Sequence, residues 1–236
     1  MSDILSSPCW VKATDYANPS FRNAYDNYVD VKDVFGGHLM RQMLKISADD
    51  FLVASVPCDE MSVYSPTVAA TRAEPTAEAS MADGHHPALP SDFPYVVAAP
   101  FTVCPEVCDS SDTADAHQPR YMVESAATAL MDMVTSFHII MAKFPKTNGH
   151  VSLSIQTNHM DKMVCGKTYL VISRIDKMGR RIVYTSVDFV EPQLQRVHDA
   201  QADPLPISNT TELLSALKSA TVLANVKHVK SMLSSS

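Results

Sequence analysis

The sequence predicts an α+β fold in which one antiparallel sheet wraps around one long central helix. The longest helical pattern, over residues 120–141, repeats apolar residues at i, i+3, i+4 and i+7 and carries almost no charge. Four later stretches read as β-strands, and the first and last of them alternate apolar and polar residues with the period of a strand. A buried helix followed by consecutive antiparallel strands is typical of the α+β class.

The elements before the helix are predicted as an N-terminal extension and a hairpin. The extension covers residues 1–42, and its helix opens at Pro19 and Ser20 and ends at Gly36 and Gly37. The stretches MLKIS and FLVASVP, joined by a turn at residues 48–50, read as the first two strands of the sheet.

Two insertions are predicted to interrupt a single domain over residues 43–233. The first, residues 59–119, holds many prolines and ten acidic residues against one basic residue, so 62–92 is expected to be loop. Its apolar stretch 93–107 is expected to dock on the domain or on a partner. The second insertion covers residues 192–217 and contains three prolines.

The four strands after the helix are predicted at residues 151–159, 168–176, 181–190 and 220–229. A turn at 165–167 separates the first two of them, and a tight hairpin turn at 177–180 joins the second to the third.

Composition narrows the classes of function. The net charge of −7 argues against a nucleic-acid surface, and the absence of an 18-residue apolar run predicts no membrane span. Five scattered cysteines and an N-terminus without the features of a leader peptide predict an intracellular, reducing compartment, either the mitochondrial matrix or the cytoplasm. Cys104 and Cys108 have the wrong spacing for a structural zinc site, so no metal is expected.

Asp132 is the candidate functional residue of the helix. It is the only charge between Glu124 and Lys143, and it lies on a polar stripe with Ser125, Thr128, Thr135 and Ser136. A carboxylate beside an apolar interior is rare unless it is paired or functional. Asp132 is therefore either a functional acid or a structural one satisfied by a neighbouring hydroxyl or amide.

Two segments carry a resemblance to a known family. The first is SIQTNHMDKMVCGKTYLVISRIDKMGRRIVYTSVDFVE, residues 154–191, and the second is LANVKHVKSML, residues 223–233. Their succession of strand, turn, long strand, turn and strand, with a basic last strand, resembles the hot-dog fold of the small PaaI-like acyl-CoA thioesterases. The resemblance implies a hot-dog fold and a homodimer or higher oligomer formed through the sheet.

The resemblance also implies a site. Asp132 takes the position of the catalytic carboxylate, and Ser152, supplied by the other subunit, takes that of the water-positioning hydroxyl. The oxyanion donor would be an amide near Glu124 or Ser125, where the family's His-Gly-Gly is replaced by Val123-Glu124-Ser125. The residues expected near the phosphates of coenzyme A, which enters as part of the substrate and not as a cofactor, are Arg180, Arg181, Lys227 and Lys230.

Two functions follow as hypotheses. The first is hydrolysis of acyl-CoA thioesters with Asp132 as general base. The second is a catalytically impaired hot-dog protein that serves as a structural subunit of a larger assembly, with the mitochondrion as a candidate compartment, and contacts other subunits through its insertions. A Glu in place of glycine at the helix start favours the second, and the retention of Asp132 and Ser152 favours the first. The basic residues are equally compatible with ordinary solvated turns.

Overall fold

The fold is of the hot-dog type, with one long helix packed on one antiparallel sheet, as the sequence predicts. The computed structural model describes residues 10–16, 25–26, 37–54, 94–109, 118–143, 149–191 and 220–233. Their seven strands are β1 (Trp10–Lys12), β2 (Leu52–Ala54), β3 (Val96–Thr102), β4 (His150–His159), β5 (Thr168–Met178), β6 (Ile182–Glu191) and β7 (Thr221–Met232). Their order in the sheet is β1-β2-β3-β5-β6-β7-β4. The helices are the short α1 (Ala13–Tyr16) and the central α2 (Glu124–Lys143).

The central helix forms where its apolar period predicts and lies against the sheet. Its first turn is fixed because the carbonyl of Val123 accepts bonds from the amides of Ala126 and Ala127, while the Val123 amide donates to the carbonyl of Val107. Leu130 and Val134 are fully buried, and each such side chain contributes about 1.5–3 kcal/mol. The length and hydropathy of α2 would suffice for a membrane span, but most of it is buried within the protein, as in the core helix of a globular domain.

Aromatic residues cover α2 from the N-terminal part of the chain. The ring of Phe137 stacks on Tyr25 at 4.9 Å and meets Phe51 edge-on at 6.0 Å. The buried Tyr25 hydroxyl donates to the carbonyl of Ile46 at 2.6 Å, which satisfies its polar end. Tyr25, Ile46 and Phe51 therefore form part of the core around the helix.

A buried histidine lies on the same helix. His138 is fully buried, with Nε2 at 2.7 Å from the carbonyl of Pro94 and Nδ1 at 2.9 Å from the Ser173 hydroxyl. A carbonyl can only accept, so Nε2 carries the proton and Nδ1 accepts from Ser173. Burial lowers the pKa of His138 to about 4, so the ring is neutral at pH 7.

Strand β4 lies at the edge of the described sheet and contains an irregularity. Its register against β7 shifts between Ser152, opposite Lys230, and Ser154, opposite Val229. One extra residue, Leu153, reverses the alternation of side chains. As a result, Ser152 and Ile155 lie on the same face of the sheet, although three positions separate them.

The predicted hairpin is wrong in its first arm, whereas its turn at 48–50 and a strand in its second arm, β2, are present. Residues 38–43 form a π-helical stretch, and Lys45 has a φ of 54°, which no strand adopts. Ser47 and Asp50 form a capping box that closes a 3₁₀ turn at 48–50. The strand that pairs with β2 on this side is β1, which lies in the N-terminal extension.

The bounds of the first insertion, 59–119, are also too wide. Residues 96–102 form β3, which pairs with both β2 and β5 and is almost entirely buried. The apolar stretch expected to dock on the domain is thus a strand of the sheet itself. The helix α2 and the four strands after it are confirmed. The predicted loop 62–92, the insertion 192–217 and most of the N-terminal helix lie outside the described residues.

Candidate functional site

A cluster of polar side chains occupies the contact between α2 and the strands β4 and β7. Asp132 Oδ1 accepts hydrogen bonds from Lys230 Nζ at 2.7 Å and from the Ser152 hydroxyl at 2.9 Å. His228 Nε2 lies 3.6 Å from the same oxygen. The Asp132 side chain is 39% exposed, whereas the Lys230 side chain is only 2% exposed. Asp132 and the exposed Ser152 therefore reach solvent, whereas the Lys230 ammonium does not.

The helical period of α2 and the strand register of β4 and β7 bring these residues together. On α2, Asp132 and Ser136 are one turn apart and so share a face. On β7, His228 and Lys230 are two residues apart and point to the same side of the sheet. Ser152 is opposite Lys230 in the register of β4, which places its hydroxyl on that side too.

The hydroxyl and imidazole groups form one directed chain of hydrogen bonds. The Thr135 hydroxyl lies 3.0 Å from His228 Nδ1, and His228 Nε2 lies 3.0 Å from the Ser152 hydroxyl. Because the Ser152 proton is donated to the Asp132 carboxylate, Nε2 must donate to Ser152, and Nδ1 then accepts from Thr135. The Thr135 hydroxyl also lies 3.0 Å from the carbonyl oxygens of Met131 and Asp132, so three acceptors share its single proton.

Electrostatics set the charge of each group. Burial acts to raise the pKa of Asp132, but the charge and hydrogen bonds of Lys230, with the bond from Ser152, outweigh it and lower that pKa. Burial lowers the pKa of Lys230, although Asp132 opposes this effect. Burial and the neighbouring ammonium lower the pKa of His228 to about 4. At pH 7 the cluster holds one carboxylate, one ammonium and a neutral imidazole.

A second imidazole lies close enough to the cluster to interact with its charges. Burial and Lys230 lower the pKa of His150 to about 4, while Asp132 acts in the opposite direction. Among the described residues, His150 Nδ1 is a buried atom without a hydrogen-bond partner.

The helix start is separate from this cluster. Glu124 and Ser125 are exposed, and a Glu124 carboxylate oxygen lies 4.0 Å from His159 Nε2. Their amides belong to the first turn of α2, where N–H groups have no partner inside the helix. Eight residues separate Glu124 from Asp132, which corresponds to about 12 Å along the axis.

The structure corrects two of the sites predicted from sequence. Lys230 was expected near the phosphates of coenzyme A, but it is buried and pairs with Asp132, so it cannot meet a phosphate from solvent. Ser152 was expected to act across a subunit boundary, but it bonds Asp132 of its own chain.

The other three basic residues are exposed. Arg180 and Arg181 lie at the turn between β5 and β6, and Lys227 contacts Asp176 at 3.4 Å. Lys227 shares a strand pair with Ser186 and Gln156, on the side of the sheet opposite Lys230. The four predicted basic residues therefore do not form one group.

Sequence reasoning missed His228 and His150 and misplaced Lys230. One signal was present in the sequence. His228 and Lys230 fall at the same parity as Val226 and Met232 in the last strand, and those two apolar residues mark the buried face. Two polar residues on that face required an acidic partner, and Asp132 is the acid of the buried helix.

Comparison with solved structures gives low identities throughout. A zebrafish thioesterase superfamily member 2 is 11% identical with a TM-score of 0.47, and the match covers 90% of this chain and 95% of that one. The PaaI protein of E. coli is 9% identical, with a TM-score of 0.39 and coverage of 60% and 75%. A Streptococcus mutans protein bound to acetyl CoA is 12% identical, with a TM-score of 0.39 and coverage of 58% and 81%.

No family model matches the sequence. No curated protein sequence matches it significantly either.

Proposed function

We propose that this protein hydrolyses acyl-CoA thioesters, with Asp132 as the general base. The supporting observation is the asymmetry of the Asp132 carboxylate. Within the described residues, every recorded contact of this group is made by Oδ1, and the side chain remains 39% exposed. Oδ2 is thus the oxygen that can accept a proton from an incoming water.

The reaction follows from that placement. Oδ2 takes a proton from water while the water oxygen bonds to the thioester carbonyl carbon, which leaves a negative charge on the carbonyl oxygen. Collapse of this intermediate breaks the carbon–sulfur bond, and the proton held by Asp132 passes to the departing thiolate. The products are a carboxylic acid and coenzyme A as its thiol.

Ser152 holds the base in this scheme. Its proton is donated to Asp132, and its oxygen already accepts from His228 at 3.0 Å and from Lys230 at 3.4 Å. A hydroxyl with one donated and two accepted bonds has no capacity left to orient a water. Ser152 therefore fixes the carboxylate, a different role from the water-positioning one that the resemblance implies.

The oxyanion must be stabilised by a second copy of the chain. Both the attacking water and the oxyanion donors must lie within about 3 Å of the same carbonyl group. The amides at Glu124 and Ser125 are about 12 Å from Asp132 along one helix. A helix start from a dimer partner would meet this requirement, which links the proposed activity to the expected homodimer.

The structural-subunit hypothesis is supported by a different observation. The Lys230 ammonium bonds Asp132 directly and lowers its pKa, which makes it a weaker base. The Glu124 carboxylate also adds negative charge where an oxyanion would develop. A protein with no turnover would retain this pair as part of its core.

Substitution of Asp132 tests the proposal. Asp132→Asn should lower kcat for thiol release from acyl-CoA substrates by about 10²- to 10⁴-fold, the usual contribution of a general base. Because this change also leaves Lys230 as an unpaired buried charge, it should cost about 3–5 kcal/mol of stability. The double variant Asp132→Asn with Lys230→Met removes both charges and separates lost chemistry from lost folding.

The matched control is Asp161→Asn, an exposed acid whose recorded bond is to the adjacent Lys162 amide. It should hydrolyse acyl-CoA at the native rate. Equal rates for native protein and the folded Asp132 variants, across short and long acyl chains, would overturn the hydrolase proposal and leave the structural-subunit hypothesis.

A further inference from the structure

Lys230 is the least expected residue of the polar cluster. Its side chain is 2% exposed, and a lysine is almost never buried to this degree unless it is paired. Its ammonium donates to Asp132 Oδ1 at 2.7 Å, to the Ser136 hydroxyl at 2.8 Å and to the Ser152 hydroxyl at 3.4 Å. All three N–H groups are therefore used, each by a residue of α2 or β4.

Two of these three contacts converge on Oδ1 of Asp132. Ser152 also donates to Oδ1, so Lys230 holds the carboxylate both directly and through Ser152. Ser136 donates in turn to the carbonyl of Asp132 at 2.7 Å, which ties the same ammonium to the backbone of α2. Rotation of the carboxylate would break the bonds to Oδ1, so its orientation is fixed.

No other cation takes part in this arrangement at pH 7. The titratable groups around Asp132 are His228 and Lys230 from β7 and His150 from β4. From β6, the residues that face the same side are the uncharged Val183 and Thr185. Both imidazoles have a pKa near 4 and are neutral, which leaves Lys230 as the one positive charge of the described cluster.

We infer that Lys230 is a positioning residue of this site, which holds Asp132 in its anionic form through Oδ1 and leaves Oδ2 directed toward substrate. This inference rests on the proposed function for the role of Oδ2. Its electrostatic part concerns the charge of Asp132 alone and is measurable in a protein without turnover.

Removal of the Lys230 ammonium should reverse the direction in which the pKa of Asp132 is shifted. Burial favours the neutral acid, and Lys230 provides the largest opposing effect. Without Lys230, the pKa of Asp132 should therefore rise from below its ordinary value to above it. A base with a higher pKa is protonated in weak acid, so the acid limb of the pH–rate profile should move to higher pH.

The experiment is a titration of the Asp132 carboxyl carbon by ¹³C NMR in full-length protein, with the signal assigned from its absence in the Asp132→Asn variant. Lys230→Met should raise the pKa of Asp132, whereas Lys230→Arg, which keeps the charge, should leave it below the ordinary range. Lys167→Met deletes an exposed lysine paired with Glu191 and should not change the Asp132 titration.

Two outcomes would overturn the inference. One is the same Asp132 titration in Lys230→Met as in native protein, and the other is an equal rise in Lys230→Arg and Lys230→Met. If Lys230→Met does not fold, Ser136→Ala serves as the second variant, because it removes one acceptor of the Lys230 ammonium. It should raise the pKa of Asp132 by less than Lys230→Met would. An unchanged pKa of Asp132 in Ser136→Ala would count against the inference. Absence of turnover in every variant would refute the proposed function and leave the titration as a valid test of Lys230.

Discussion

The buried histidine on α2 should make the stability of this protein depend on pH in a defined window. The pKa of His138 is about 4 in the folded protein, compared with about 6.5 for an unperturbed imidazole. Between these values the unfolded chain binds the proton and the folded chain does not. The stability associated with neutral His138 is therefore complete above about pH 6.5 and is lost as the pH falls toward 4.

The size of this loss of stability follows from the same two pKa values of His138. The two pKa values differ by about 2.5, and each pKa unit corresponds to about 1.4 kcal/mol, so His138 alone contributes about 3 kcal/mol. His150 and His228 act in the same direction, because their pKa values are also near 4. Asp132 acts in a different window, since its lowered pKa affects stability only as the pH falls below about 3.8.

His138→Gln isolates the contribution of this one residue. Glutamine does not titrate, and its amide can still donate to the carbonyl of Pro94. Denaturant unfolding followed by circular dichroism at pH 7, 6, 5 and 4.5 should show a smaller loss of stability in this variant than in native protein. The difference should approach about 3 kcal/mol near pH 4.

The control is His38→Gln, at an exposed position bonded to Gln42. Its unfolding free energy should follow the native curve across the same range. A His138→Gln curve parallel to the native one would show that His138 is not protonated on unfolding, and the reasoning from burial would fail.

Two further predictions concern self-association and the helix start. The chain should sediment at twice its mass of 25.8 kDa, and Leu153→Lys on the edge strand β4 should shift it to the monomer, whereas Tyr184→Lys, on an interior strand, should not. A monomeric native protein at micromolar concentration would contradict this. Replacing residues 123–125 by His-Gly-Gly should raise the thioesterase rate by about 10²-fold if one lost amide donor limits it. Glu124→Gln, which removes only the charge, should give a smaller rise, and no rise in either variant would exclude the helix start as the defect.

Long periodic elements were predictable from the sequence because their patterns have a single explanation. The apolar period of α2 predicts a buried helix, and the runs of apolar and β-branched residues in β5 and β6, bounded by turn residues, predict buried strands. The segment around Lys45 was not predictable in this way. Its short run of mixed residues fits a strand, and the backbone instead turns at Lys45 and is closed by the Ser47–Asp50 capping box.

The composition of the surrounding chain concealed β3. Acidic and proline-rich residues flank it on both sides, and Pro100 lies within it, a residue rare in interior strands. Its burial between β2 and β5 is a tertiary effect that no local pattern reports.

Asp132 was recognisable because it is a lone acid on an apolar helix. Its counter-ion was not, because Lys230 is one of several lysines in a basic segment. Its parity with Val226 and Met232 is the one sequence signal that separates it from Lys227, which is exposed on the other side of the sheet.

The extra residue at Leu153 changes which positions of β4 face the helix. Before it, the even-numbered His150 and Ser152 project toward α2, whereas after it the even-numbered Ser154 and Gln156 project away and Ile155 takes the inward side. A side chain introduced at an even-numbered position therefore faces α2 only before Leu153, and after Leu153 it faces the outer surface.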